Sequence, residues 1–260
     1  VTEAGSRGDQ ANDTDAYMRV GGLGGLLACG LLLAGCVQRL PTLRYRLTVE
    51  IETPYGLKAG SSVIEVTTVD RGKGFPGPEA GGVRRNAKGQ AVVIEIAPHE
   101  YVFALLGKGL YYDYAAFLPG GVLRPLVGSG RQPIGPNTDL VQDYLSYDQF
   151  HKRMVADHNL WPVPRTVPAN AGNGQWDYWP DLVRFGDIND PATVEWVRPD
   201  TIAIKRVTLQ IVDEPITDGI RLILPWLGKY PEASLNPNHG PYDRSASPVI
   251  TQGYFIRKLD

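Results

Sequence analysis

Leu43-Arg44-Tyr45-Arg46-Leu47-Thr48-Val49-Glu50-Ile51-Glu52-Thr53 alternates without a break. Leu43, Tyr45, Leu47, Val49 and Ile51 fall on one face, and Arg44, Arg46, Thr48, Glu50 and Glu52 on the other. Period-two patterning of this length predicts an antiparallel strand with one buried and one wet face. Working outward, Pro54-Tyr55-Gly56 breaks the pattern. The β-branched stretch Ser61–Val69 then reads as a second strand, antiparallel to the first in a meander. Residues 70–89 read as a Gly/Pro/charged loop and Gln90–Ile96 as a third strand. Pro98-His99-Glu100 turns the chain into Tyr101–Leu106, a fourth strand or a short helix. The first half is therefore expected to form a sheet of about four strands.

Towards the C-terminus, residues 107–137 are punctuated by Gly and Pro and read as irregular. Leu140, Tyr144, Tyr147, Phe150 and Met154 recur at three- and four-residue spacing, which predicts a helix over Asp139–Asp157. Residues 162–174 read as loop and Asp181–Phe185 as a short strand. Asp190-Pro191 suits an N-cap and first helical position for a brief turn through Val194. Ile202–Val212 reads as a strand with Val207, Leu209 and Ile211 inward, Thr217–Leu224 as a short helix stopped by Pro225, and Tyr254–Ile256 as a last strand. The chain has 260 residues with 30 Gly and 21 Pro, a composition suited to a turn-rich β protein. The expectation is a mainly β protein: an antiparallel sheet or sandwich-like β core, a few short helices and long Gly/Pro-rich loops, with residues 43–260 as a single domain.

Ahead of the first strand lies a different kind of segment. Met18-Arg19 opens an apolar run from Val20 to Leu33, rich in glycine and ending Leu33-Ala34-Gly35-Cys36. The run is the length of a signal-peptide core and too short for a spanning helix of about 20 residues. Its glycines disfavour a buried core helix. The ending resembles the lipobox of bacterial lipoproteins. That resemblance implies removal of the preceding residues and acylation of Cys36, and two or more acyl chains give lasting membrane attachment. Val37, where inner-membrane lipoproteins often carry Asp, implies the outer membrane over the inner. Residues 18–35 are thus read as a signal peptide and residues 36–42 as a lipidated tether. Residues 1–17 are read as a gene-call overhang before Met18, the alternative being a long genuine n-region.

Cleavage alters the charge and the thiol inventory. Residues 1–35 hold the acids Glu3, Asp9, Asp13 and Asp15 and the bases Arg7 and Arg19. The whole chain carries 26 Lys+Arg and 28 Asp+Glu, so the remainder balances. A neutral body gives no electrostatic capture of nucleic acid or of anionic lipid, and no nucleic-acid partner is expected. With Cys29 removed and Cys36 acylated, no thiol is left for a disulfide, a nucleophile or a thiolate metal site. No cofactor and no metal are expected.

Gly72-Lys73-Gly74-Phe75-Pro76-Gly77 has the glycines of a dinucleotide loop, but Pro76, Pro78 and Gly81-Gly82 block the helix that must follow. His151 and His158 share a helical face at a spacing too wide for a helical metal pair. Asp187-Ile188-Asn189-Asp190 echoes a calcium loop but lacks its Gly and Glu, and Asx turns explain it equally. No Gly-x-Ser-x-Gly elbow is present; Asp177 and Asp181 could in principle serve as general acid and base, but the separation that matters is spatial and their spacing in sequence does not give it. Trp161, Trp176, Trp179, Trp196 and Trp226 crowd one part of the chain. Within it, Trp176, Tyr178 and Trp179 are candidates for stacking on a glycan, against the alternative that they pack the fold. Pro225-Trp226-Leu227-Gly228 is a further apolar cluster, open to core plugging or partner docking.

The run Tyr45–Val66, taken with Leu224-Pro225-Trp226-Leu227, resembles uncharacterised alphaproteobacterial lipoproteins. That likeness implies no activity and no functional residues. The leading expectation is a lipid-anchored protein of the bacterial cell envelope, facing the periplasm. It would be held by acylated Cys36 and have a non-enzymatic structural or partner-binding role. The alternatives are a glycan- or peptidoglycan-fragment-binding lipoprotein using residues 161–226, and an envelope hydrolase.

Overall fold

The computed structural model describes residues 38–39, 41–70, 83–109, 113–123, 159–168, 175–228, 234–236 and 245–257. The alternating run forms a strand over its full length, β2 (Leu43–Thr53), after a two-residue strand β1 (Gln38–Arg39). Its inward stripe is almost wholly dry: Tyr45, Val49 and Ile51 are 0% exposed. Burying side chains of this size contributes about 1.5–3 kcal/mol each. Such burial fixes the register, because a one-residue slip would turn the charged face inward.

β3 (Gly56–Asp70) returns antiparallel to β2, pairing Thr53 with Gly56 and Leu43 with Val66. Its far end carries β1 on one side and β4 (Val83–Gln90) on the other. On the other edge of β2 lies β12 (Ala203–Ile211), followed by β7 (Leu160–Pro162). β13 (Ile256–Arg257) closes the β4 edge of this seven-stranded sheet. Val207, Leu209 and Ile211 point inward on β12, as the sequence predicts.

A second antiparallel sheet has the order β11 (Val194–Trp196), β10 (Leu182–Phe185), β6 (Glu100–Ala104), β5 (Val92–Ala97). The chain passes from one sheet to the other at Gln90-Ala91. Ser62 Oγ donates to the Gln90 carbonyl at 2.8 Å, Gln90 Oε1 accepts from the Ile220 amide at 2.9 Å, and the Ala91 amide donates to the Phe255 carbonyl at 2.7 Å. Bonding these three polar groups of a buried corner avoids an unpaired-group penalty of about 1–3 kcal/mol apiece. The sheets touch closely where Gly60 faces β5: a Cβ there would lie 2.2 Å from the Val93 carbonyl oxygen.

Both faces of the second sheet are buried. Val92, Ile94, Val102, Ala104 and Leu182 join the stripe of the first sheet in one core. Phe103, Leu105, Val183 and Val194 face a second core covered by C-terminal residues, including Ile220, Trp226, Ile250 and Phe255. Ile220 begins the short helix α2 (Ile220–Ile223), and Ile250 follows α3 (Ala246–Val249); α1 (Tyr114–Leu123) packs against the first core. A two-stranded ribbon, β8 (Thr166–Pro168) with β9 (Gln175–Asp177), completes the strands. The fold is mainly β and antiparallel, as expected.

Several local expectations are corrected. The first-half strands divide between two sheets, because the corner at Gln90-Ala91 redirects the chain. Residues 83–89 are strand, held by six paired positions on β3. Residues 114–123 are helix despite Pro119. Gln38–Arg39 is strand within the segment read as tether, and Thr166–Pro168 is strand within the segment read as loop. Helix begins only at Ile220, and Tyr254 ends a 3-10 turn instead of starting a strand. The helix expected over residues 139–157 lies outside the described residues, as do Cys36, His151, His158 and residues 72–77.

Candidate functional site

Two regions carry the candidate residues: the end of the first sheet next to Cys36, and a polar-aromatic knot beside α1. At the sheet end, Gln38 pairs with Asp70 and Arg39 with Val69. One residue, Val37, separates this ladder from Cys36.

The knot is assembled by the loop after β9. Tyr114 Oη donates to the Tyr178 carbonyl at 2.7 Å, and Tyr45 Oη donates to the Ala115 carbonyl at 2.7 Å. Burial pushes both phenols far above their ordinary range; Tyr45, Asp181, Asp177 and Tyr178 add to the effect at Tyr114. Both remain neutral donors at physiological pH. Lys108 Nζ donates to the Trp179 carbonyl and lies 3.5 Å from Asp177 Oδ2 and 3.4 Å from Asp181 Oδ1. Asp181 also accepts from the Gly109 amide at 3.0 Å. Asp177 and Asp181 thus share one ammonium, an arrangement that ties the loop to the end of β6.

Tyr178 and Trp179 are half-buried and pack on the first core. Trp179 Nε1 donates to the Val163 carbonyl at 3.0 Å, and the Arg165 guanidinium sits 5.3 Å from its ring centroid. The Tyr178 ring lies over Gly121, where a Cβ would come within 2.3 Å of it. Of Trp176 the backbone is described, paired with Val167 in the two-stranded ribbon. The structure brings Tyr178 and Trp179 together with Lys108, Asp177, Asp181 and Tyr114. Lys108 and Tyr114 come from distant segments and reach Asp177, Asp181 and Tyr178 only through the tertiary fold.

The remaining candidates fall into structural settings. Trp226 is buried, with its ring 5.7 Å from Phe255 and 5.6 Å from Phe185, and its Nε1 donates to the Ile188 carbonyl at 3.1 Å. Trp226 and Leu227 of this cluster thereby plug the second core. Asp187 Oδ1 accepts from the Asn189 amide and Asp190 Oδ1 from the Ala192 amide, so the calcium-like stretch is a pair of Asx turns leading into a 3-10 turn at Pro191–Thr193. Among the described residues no three His, Cys, Asp or Glu side chains cluster as a metal site. An open hollow of about 530 Å³ on the outer face of β2 and β3 is bordered by the ion pair of Arg46 and Glu214. Comparisons with protein-family models, curated proteins and solved structures find no match to this chain.

Proposed function

We propose that this protein is a lipid-anchored component of the bacterial cell envelope, acylated at Cys36 and facing the periplasm, with the outer membrane favoured by Val37. Its β body serves a structural or partner-binding role without chemistry of its own. The observation that carries the reading is the lipobox-like Leu33-Ala34-Gly35-Cys36 ending one residue before a folded sheet begins at Gln38. A leader cleaved before Cys36 leaves the ladder at Gln38 intact, and the acyl chains then hold a folded body at the bilayer surface. The structural side of the reading is supported by the knot, whose phenols and indole donate to main-chain carbonyls and so lock loops together.

The test is metabolic labelling with a palmitate analogue, followed by membrane fractionation, for the wild type and Cys36→Ala. Wild-type protein should take up label and sediment with membranes; the variant should lose the label. A native chain carrying an unmodified Cys36 thiol would overturn the reading.

A further inference from the structure

We propose that the free edge of β3 over Leu57–Ser61 pairs with the same edge of a second copy of this chain, antiparallel about a two-fold axis at Ala59. The proposal goes beyond the lipid-anchor reading and does not rest on it. Successive residues of a strand point their main-chain groups to opposite edges, so every second residue of β3 faces away from β2. Val63 marks the outward set. Its amide donates to Thr217 Oγ1 at 2.7 Å, and its carbonyl accepts from the Thr217 amide at 3.1 Å. From Glu65 onward the same edge is taken up by β4. Leu57, Ala59 and Ser61 are the remaining outward residues. All three are exposed, and their outward amides and carbonyls meet no partner among the described residues. Sheet edges are commonly blunted by proline, a bulge or a charge. Here the outward residues are uncharged, and Leu57 is left 60% exposed. Behind the edge, the Val93 carbonyl presses on Gly60, so the strand is held in shape before any partner arrives.

The order of residues along the edge selects a second copy and a single register. With Ala59 on the axis, Ala59 meets Ala59, Lys58 meets Gly60 and Leu57 meets Ser61. Three outward rungs then carry about six main-chain hydrogen bonds, and no like charges come opposite. Directly opposed residues share a face. Each Leu57 therefore arrives beside the partner's Ser61, on the face where Ala59, Ser61, Val63 and Thr217 border the open hollow. An axis at Lys58 would set two ammonium groups against each other. An axis at Gly60 or Ser61 would bring Leu57 or Ala59 onto Val63, which Thr217 already holds. An axis at Leu57 would put the partner's turn residue Tyr55 opposite Ala59. The fit of an exposed leucine to a hollow on the same edge is reciprocal, as a two-fold contact requires. So short a ladder makes a reversible dimer, not an obligate one.

The test uses the purified full-length protein. Sedimentation up to about 1 mM should show a monomer–dimer equilibrium. Ala59→Pro removes an amide that faces away from β2, so the hairpin should keep its circular dichroism while dimerisation weakens roughly tenfold or more. Copper-phenanthroline oxidation reads the register, over the background of the unchanged chain with its own Cys29 and Cys36. Ala59→Cys should cross-link to itself, its Cα atoms about 5.5 Å apart across the axis. Leu57→Cys mixed with Ser61→Cys should also cross-link. Ser61→Cys alone should not, being about 13 Å out of register with its own copy. If Ala59→Pro fails to fold, this cross-linking pattern still decides. A monomer at every concentration, cross-linking no better at 59 than at 61 alone, or capture of a different chain at 59 would overturn the proposal.

Discussion

The Tyr45 hydroxyl donates to the Ala115 carbonyl at 2.7 Å, joining the central strand to a helix 70 residues further along the chain. Tyr114, the neighbour of that acceptor, makes the corresponding bond to Tyr178. Two consecutive helical residues thus tie the alternating strand to the aromatic loop, and both ties depend on neutral phenols.

The stability of the protein should therefore fall at alkaline pH. An unfolded tyrosine ionises near 10, while burial holds Tyr45 and Tyr114 protonated in the fold. Below pH 10 neither state loses a proton and the phenols give no slope. Above it the unfolded chain binds fewer protons, so stability drops by about 1.4 kcal/mol per pH unit per tyrosine. Urea unfolding between pH 8 and about 11.5 should show this slope halved in Tyr45→Phe, with a neutral-pH loss of about 1–3 kcal/mol from the unpaired carbonyl. An unchanged slope in Tyr45→Phe would contradict the assignment.

The adjacent glycines of α1 should respond with opposite signs. A Cβ at Gly120 meets nothing within 4 Å, whereas at Gly121 it strikes the Tyr178 ring. Gly120→Ala should stabilise by about 0.5–1 kcal/mol through helix propensity. Gly121→Ala should destabilise by about 1–3 kcal/mol through overpacking. Melting curves of the two single variants decide it, and equal signs would refute the contact.

Lys108→Met should loosen the loop after β9. It removes the donor to the Trp179 carbonyl and leaves Asp177 and Asp181 without their shared ammonium. A loss of about 1–3 kcal/mol is expected, with faster amide exchange confined to residues 175–181. Adding Asp181→Asn should restore part of the loss, which a double-mutant cycle measures.

Phe255→Ala should cost about 3–5 kcal/mol. Its ring contacts Phe103, Phe185 and Trp226, with centroids 5.6 to 5.8 Å away, and it is 0% exposed. A red-shifted tryptophan emission should accompany the loss, as water reaches Trp226.

What the sequence disclosed follows from how burial is distributed. β2 and β12 are wet on one side, so their residues alternate and both strands are legible. β4 reads Val-Arg-Arg-Asn-Ala-Lys-Gly-Gln and has no apolar stripe; its strand character comes from the ladder with β3. α1 contains Pro119 and two glycines and has buried residues around most of its circumference, so it shows no helical stripe. Tyr254 and Phe255 are consecutive and both buried, and so short an apolar run does not distinguish a doubly buried strand from the end of a 3-10 turn. Of the aromatic knot, Tyr178 and Trp179 stood out by composition, but Lys108 and Tyr114 come from distant segments with no local pattern.

The place of β12 beside β2 has a bearing on biogenesis. Arg206 and Glu50 are partners separated by 156 residues of chain. At a synthesis rate of roughly 5–20 residues per second, the edge of β2 waits about 8–30 seconds for its neighbour to emerge. High contact order of this kind slows folding and leaves a β-rich nascent chain open to aggregation. A holding chaperone that covers Leu43–Ile51 in that interval would find its most hydrophobic docking stripe already laid out at every second residue.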